Sequence, residues 1–367
     1  MPTPTAQSVY EKTDILEVHF IDVGQADAQL ISIGNHYMLI DGGTPEASQI
    51  IFAYLREHNV DHLDYIINTH SDSDHVGGLP AAVIYVDGKI GTAISPYTEC
   101  AKDRFTIYAD RLKSYGIEFT IPHTGDIYKL GSAEFQILNA GEGTCSNDRS
   151  IVIRLTYGKT SFLFTGDADT KDESTILDKG FDIGSSVLKV GHHGSKTSTG
   201  AMFLEAVHPA YAVISCGAKN QYGHPNEEVL QRLENANVTI FRTDVNGHIM
   251  FTSDGNNLRA FGQKVTPKIN PTPYQKATPT EISSYVPSSV VSQTNSTSSG
   301  STGITSGNET ENNVHLISYV LNHNSMKFHY PWCNAASRIS PKNREDVQDT
   351  REHIITMGFV PCKICNP

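Results

Sequence analysis

The chain has little that would tie it to a lipid bilayer or to a polyanion. No stretch is apolar enough to cross a membrane, and the opening Met1-Pro2-Thr3-Pro4-Thr5 has neither the basic nor the apolar segment of an export signal. The expectation is a soluble chain, cytoplasmic or exported, with no membrane insertion. Basic residues are scarce as well, with 28 Lys and Arg against 40 Asp and Glu and a formal charge of -12. That balance works against long-range capture of nucleic acid, although a locally basic or cation-filled groove remains compatible with it. Cysteine is sparse, with six residues in all. Cys100, Cys145 and Cys216 lie far apart and read as core or free thiols, whereas Cys333, Cys362 and Cys365 gather near the end, where spacing favours metal over disulfide. At 367 residues the chain has room for one large domain and one or two smaller ones.

Against these scarcities stands a dense cluster of metal-ligand side chains. Residues 70–75 read His-Ser-Asp-Ser-Asp-His and are followed by Val76-Gly77-Gly78. Buried carboxylates and imidazoles are costly without partners, so four together are usually relieved by bound cations. The preceding Asp64-Tyr65-Ile66-Ile67-Asn68-Thr69 reads as a strand that ends at the ligands, and the two glycines let the backbone turn closely around an ion. The plainer alternative is a surface turn capping the next helix.

Further strands are expected at 15–22, 28–33, 36–40, 134–138, 150–157, 160–164, 185–190 and 211–216, with helices over 46–58 and 102–115. Several end in Asp or His: Asp22, His70, Asp167 and His192. Such convergence of strand ends is how α/β folds assemble active sites. The expected organisation is an N-terminal tail at 1–14, a catalytic domain at 15–262, a Ser/Thr/Pro-rich flexible linker at 263–313 and a small module at 314–367.

Two neighbouring cations need an oxygen bridge that holds them about 3.5–4 Å apart, so that an activated water can attack an ester. His70 and Asp72 could hold one ion, Asp74 and His75 the other, with Asp167 as the bridging carboxylate and His192 as the remaining imidazole. Five ordered motifs are similar to the metallo-beta-lactamase superfamily, and within it to the nuclease-like C-terminal domain of the ComEC-type competence proteins. They are Val18-His19-Phe20-Ile21-Asp22-Val23-Gly24-Gln25-Ala26-Asp27, Leu39-Ile40-Asp41-Gly42-Gly43 followed by the His70–His75 cluster, Thr165-Gly166-Asp167, Lys189-Val190-Gly191-His192-His193-Gly194-Ser195, and Asn220-Gln221-Tyr222-Gly223-His224-Pro225. The resemblance covers about residues 15–262. It implies an αββα sandwich, hydrolysis, and ligands at His70, Asp72, Asp74, His75, Asp167 and one of His192 or His193.

Two departures accompany it. Ala26 stands where this branch has Gly, and no His occurs at Ser146-Asn147-Asp148, where wider superfamily members supply a third imidazole. Asp72 in place of a second imidazole makes the site harder, so Mn2+ competes with the two Zn2+ expected there. Asp74, His193, His224, Ser195 and Asn220 are the candidate catalytic residues: His193 or His224 as general acid, Ser195 and Asn220 as donors to phosphoryl oxygens, each also readable as a supporting residue. Asp22, Asp27 and Asp41 read as residues that position ligands. A serine nucleophile at Ser195 is disfavoured because the flanking glycines and strand-turn-helix elbow are missing.

In the terminal module, His329-x3-Cys333 and Cys362-x2-Cys365 supply the four corners of a structural zinc site. The module resembles the Ada-like metal-binding modules attached to nucleases. The function expected is a metal-dependent phosphodiesterase, foremost a DNA nuclease, with DNA or a small phosphodiester as partner. The alternatives are a hydrolase of a small phosphodiester, phosphorylcholine or other ester, and a non-catalytic binding protein stabilised by metal.

Overall fold

A computed structural model describes residues 14–141, 150–262, 317–329, 335–336, 338–349 and 351–362. The chain divides into two compact units, residues 1–289 and 290–367. The expected N-terminal tail up to residue 13 and the linker at 263–313 lie outside the described residues.

Among the described residues the first unit has fifteen strands in two sheets. In chain order they are β1 (Leu16–Phe20), β2 (Gln29–Ile33), β3 (His36–Ile40), β4 (Leu63–Ile67), β5 (Ile90–Ile94), β6 (Phe119–Thr120), β7 (Ile127–Leu130), β8 (Ala133–Asn139), β9 (Val152–Tyr157), β10 (Thr160–Phe164), β11 (Val187–Lys189), β12 (Tyr211–Ile214), β13 (Thr239–Arg242), β14 (Ile249–Ser253) and β15 (Leu258–Gly262). One sheet has the order β15-β14-β1-β2-β3-β4-β5-β6 and the other β13-β12-β11-β10-β9-β8-β7.

Alternation along the strands decides the layering, because successive side chains point to opposite faces. Val18 and Phe20 of β1, Met38 and Ile40 of β3, Phe162 and Phe164 of β10, and Val213 of β12 share one buried cluster between the sheets. Leu30 and Leu39 point the other way, into a second cluster with α1 (Ser48–Glu57), Leu79, Ala82 and Val83 of a helix at Leu79–Tyr85, and Phe105, Tyr108 and Leu112 of a helix at Asp103–Ser114. Leu163, Leu188, Ala212 and Ile214 face a third cluster with Ile176, Phe203, Leu204, Val229 and Leu233, which lie on helices at Thr170–Asp178, Ala201–Val207 and Glu227–Asn235. Both sheets are thus apolar on both faces, and the result is the αββα sandwich. Strands β3, β4 and β5 run parallel, as do β10 to β13, so the loops at their C-terminal ends gather along one rim.

The helices expected at 46–58 and 102–115 lie at Ser48–Glu57 and Asp103–Ser114, each trimmed at its ends. One cysteine expectation is corrected: Cys100 is disulfide-bonded rather than a core or free thiol, with its partner outside the described residues. Cys216 is a buried free thiol. Among the described residues no helix is long and apolar enough to cross a membrane.

Among the described residues the second unit has a four-stranded sheet of Ile317–Asn322, Lys327–His329, Arg344–Asp349 and Val360–Pro361, whose Tyr319, Leu321 and Phe328 form a buried cluster with Ile354. Lys327–His329 and Val360–Pro361 are parallel, and Cys362 N donates to Phe328 O at 3.0 Å, which brings His329 and Cys362 to neighbouring places on adjacent strands. Both ring nitrogens of His329 are buried without a hydrogen-bond partner. Cys333 and Cys365 lie outside the described residues.

Three imidazoles crowd the interface of β1 with α1. His19 Nδ1 lies 2.9 Å from Tyr54 Oη, and the His58 ring sits 4.6 Å from His19 and 4.5 Å from Tyr54. Glu17 and His248 complete the surroundings. Burial, reinforced by His19 and opposed by Glu17, pushes His58 down to about 4. The unfolded chain takes up this proton near pH 6.5 and the folded chain only near 4, so stability falls as pH drops across that interval. His58→Gln is expected to flatten this slope in urea titrations between pH 7 and 4; an unchanged slope would clear His58 of the effect.

Candidate metal centre

Strand β4 runs into Asn68-Thr69-His70, and Thr69 anchors the turn. Its amide and hydroxyl donate to the two carboxylate oxygens of Asp41 at 2.8 and 2.7 Å. The Asp41 carboxylate also lies 2.8 Å from His75 Nδ1. Since a carboxylate only accepts, that bond puts the proton on Nδ1 and leaves Nε2 of His75 as a lone-pair donor. His70 is set in the same way: its Nδ1 faces Thr69 Oγ1 at 3.1 Å and Ser150 Oγ at 3.3 Å, and its Nε2 faces inward. The short helix Ser73–Val76 then carries Asp74 and His75, and the turn packs so closely on the Asp41 loop that a Cβ at Gly78 would lie 2.1 Å from Gly42 O.

Asp167 arrives from β10 through Gly166, whose φ of +51° and closeness to Ser150 and Thr69 leave no space for a side chain. Its amide donates to Ser150 Oγ at 2.8 Å. Its two carboxylate oxygens address different imidazoles. Oδ1 is 3.2 Å from His75 Nε2 and 3.8 Å from His193 Nε2, while Oδ2 is 3.9 Å from His70 Nε2 and 3.6 Å from His192 Nε2.

Beyond β11, His192 and His193 both adopt left-handed backbone, with φ of +48° and +54°. Two such non-glycine residues in succession cost about 1–3 kcal/mol each, a strain typical of functional sites. The turn sends the rings in different directions. His193 is buried, with Nδ1 3.0 Å from Ser215 O and Nε2 3.3 Å from Asp74, whereas the His192 side chain is 42% exposed. Ligand atoms within 4.8 Å of one another form the sets His70/His75/Asp167, Asp74/His75/His193 and Asp27/Asp167/His193. His193, rather than the expected His192, is the member of the pair that joins them. Asp72 lies at the edge: one oxygen is 3.7 Å from His70 Nε2 and the other is paired with Lys102.

The donor atoms fit divalent cations. His70 Nε2, His75 Nε2, His193 Nε2 and Asp167 Oδ1 are all buried without a hydrogen-bond partner, which is costly unless something positive sits among them. Titration behaviour points the same way. Burial opposes charge on His75 and His193, yet the Asp167 and Asp41 carboxylates hold His75 well above the usual imidazole range, and Asp167 and Asp27 push His193 up to about 10. Burial likewise raises Asp167, but His75 and His193 overcome it and hold the carboxyl well below its ordinary value. For Asp72, His70 and Lys102 outweigh burial and bring it to about 2. Without metal, protons supply the positive charge that the carboxylates need.

Behind the cluster lies a residue whose role the sequence reading missed. Lys189 is fully buried and forms an ion pair with Asp27, whose other oxygen is 3.5 Å from His193 Nδ1. Burial opposes the Asp27 charge, and Lys189 and His193 reverse that, holding the carboxyl far below the usual range. A lysine in the apolar run Val187-Leu188-Lys189-Val190 was the available signal, since a buried ammonium needs an acid. Lys102 and Ser150 were also missed.

Other expected residues lie around the rim. His224 is partly buried, with its ring 5.7 Å from His192 and its Nδ1 3.5 Å from Gln25 Nε2. Ser195 is occupied within its own turn, 3.0 Å from Thr197 Oγ1. Asn220 spends its amide on Gly217 O and His224 O and accepts from Tyr222 N and His224 N, so in place of the expected bond to a phosphoryl oxygen it braces its loop. Asp22 closes the first loop, accepting from Gly24 N at 3.2 Å.

Residues 21–218, more than half of the chain, match the model of the metallo-beta-lactamase superfamily. The chain belongs to that superfamily. It is 32% identical over 257 residues to ComE operon protein 3 of Bacillus subtilis, covering 64% of this chain and 33% of that one. It is 34% identical to competence protein ComA of Neisseria gonorrhoeae, covering 63% and 31%, and 32% identical to recombination protein 2 of Haemophilus influenzae, covering 64% and 28%. The chain therefore spans about a third of the length of these relatives, and it is homologous to that part of the competence proteins.

Lys189→Met leaves Asp27 charged and buried, which is expected to cost about 3–5 kcal/mol in denaturant unfolding. Adding Asp27→Asn should recover most of the loss. A double variant no more stable than Lys189→Met would show that the pair is not coupled.

Proposed function

We propose that the protein is a phosphodiesterase, foremost a DNA nuclease, working through two divalent cations, zinc first and Mn2+ as competitor. The observation that carries this reading is Asp167, whose Oδ1 faces His75 Nε2 and His193 Nε2 and whose Oδ2 faces His70 Nε2, three buried nitrogens without a hydrogen-bond partner. Asp74, His75, His193 and Asp167 would hold one cation; His70, Asp72 and Asp167 would hold the other, with His192 at its open edge. Such a pair supplies an activated water and charge for the phosphoryl oxygens. The protein's own part is to fix these ligands through Asp41, Thr69, Ser150 and Asp27, and to place His192 and His224 where one of them can pass a proton to the departing oxygen. Burial, together with the nearby His192 and His193, lowers His224, which leaves His192 the better placed of the two to carry the proton near pH 7.

The choice of DNA is supported by the likeness to competence proteins, and the carboxylate-rich ligand set supports a hydrolytic rather than a closed structural site. For the terminal unit we propose a structural zinc held by His329, Cys333, Cys362 and Cys365. The two buried, unpartnered nitrogens of His329 beside Cys362 support it.

The test is a metal-by-substrate screen of the full chain, stripped and reloaded with zinc or manganese, against single- and double-stranded DNA and a bis-aryl phosphodiester. Asp167→Ala is expected to lower turnover at least about a hundredfold, as loss of several kcal/mol of charge stabilisation implies. Turnover that survives both a chelator and Asp167→Ala would defeat the phosphodiesterase reading. Preference for a small ester over both forms of DNA would move the substrate to the alternative class. Metal analysis of the zinc-reloaded full chain, with and without Cys362→Ser, tests the terminal site.

A further inference from the structure

After Ile214 the chain enters a loop that Asn220 holds rigid through four hydrogen bonds to Gly217, Tyr222 and His224. Gln25 fastens it to the first loop of the domain by accepting from Gly217 N at 2.9 Å. A segment tied this firmly by polar groups needs no aromatic side chain for its own stability. Yet Tyr222 stands on it 63% exposed. Its ring lies over that of His224, with centroids 5.8 Å apart and planes inclined by 28°. The His224 ring in turn meets His192 edge-on at 5.7 Å, and His192 Nε2 is 3.6 Å from Asp167 Oδ2. Three rings thus descend from solvent to the carboxylate at the centre of the metal site.

We propose that Tyr222, backed by His224, is a stacking platform for the nucleobase adjoining the phosphate at the metal centre. The assignment rests on the phosphodiesterase reading and narrows it to nucleotide-bearing phosphodiesters rather than alkyl or choline esters. A base presents a flat π-face whatever its identity, so one exposed ring supported from below by a second suits binding without sequence preference. With a net charge of -12 the protein has little electrostatic pull on a nucleic-acid backbone, and a short-range contact of this kind is what remains to hold the strand beside the cations. Tyr222 is therefore a specificity-determining residue, and Asn220 and Gln25 are the positioning residues that aim it.

The test uses metal-loaded full-length protein and calorimetric titration with thymidine 5′-phosphate, thymidine 3′-phosphate and 2-deoxyribose 5-phosphate. These share the phosphate and sugar chemistry, and only the first two carry a base. At least one thymidine phosphate is expected to bind about tenfold more tightly than the base-free sugar, the scale of one aromatic–base stack. Tyr222→Ala should erase that advantage without weakening the base-free ligand, and Tyr222→Phe should keep it. Equal affinities in the unaltered protein, or an advantage that survives Tyr222→Ala, would overturn the proposal. Binding and turnover report separately: failure to hydrolyse any phosphodiester would defeat the underlying reading, whereas hydrolysis without a base-dependent gain in affinity would defeat the platform alone.

Discussion

The constraint on which this domain turns is that Asp167 sits buried among three imidazole nitrogens that bond to nothing else. Each Nδ1 is already engaged, His75 by Asp41, His70 by Thr69 and Ser150, His193 by Ser215, so each ring presents its Nε2 inward. A folded protein tolerates such a concentration of lone pairs and negative charge only when cations or protons complete it. The surrounding glycines, the strained His192-His193 backbone and the hydroxyls of Thr69 and Ser150 all follow from the need to bring these atoms together. They contribute geometry rather than stability.

The pair Asp27 and Lys189 shows how the sheet tolerates the cluster. β11 is central in its sheet and buried on both faces, so an ammonium on it is expensive unless neutralised. Asp27 does this, and its other oxygen reaches His193, which links the first loop of the chain to the ligand turn some 165 residues later. Lys102 is the corresponding cation on the open side, paired with Asp72 rather than with a buried acid. One basic residue therefore sits behind the cation site and one at its mouth, and only the first is closed to solvent.

Much of this was legible in the residue order because catalytic turns have local requirements. The run His70 to His75, the Gly166-Asp167 hinge and the Asp41 turn each show their chemistry within a few residues, whereas the αββα layering is implied mainly by the resemblance that the ordered motifs carry. What could not be read locally was direction. His192 and His193 are adjacent and chemically identical, and only the left-handed backbone at both decides which ring turns inward. Asn220 reads from its motif as a substrate contact because the sequence does not show the four hydrogen bonds that occupy its amide. Strands β5, β6 and β7 were missed because Gly91, the brevity of β6 and the exposed Ile127 blur their pattern. The Cys100 disulfide escaped because connectivity is a property of three dimensions rather than of spacing.

The acidic surface and the proposed polyanionic substrate are compatible once range is considered. Coulomb interactions at the surface fade over about 8 Å at physiological ionic strength, so a net charge of -12 governs approach more than it governs contact. At contact, the carboxylates most hostile to phosphate are the ones already committed: Asp41 to Thr69 and His75, Asp27 to Lys189, and Asp72 to Lys102. Cations at Asp74 and Asp167 would neutralise what remains and present positive charge at a single point of the rim. A strand delivered there needs no extended basic track. It needs close-range contacts that are insensitive to salt, which is the kind a phosphoryl group on a cation and a base against a ring can make.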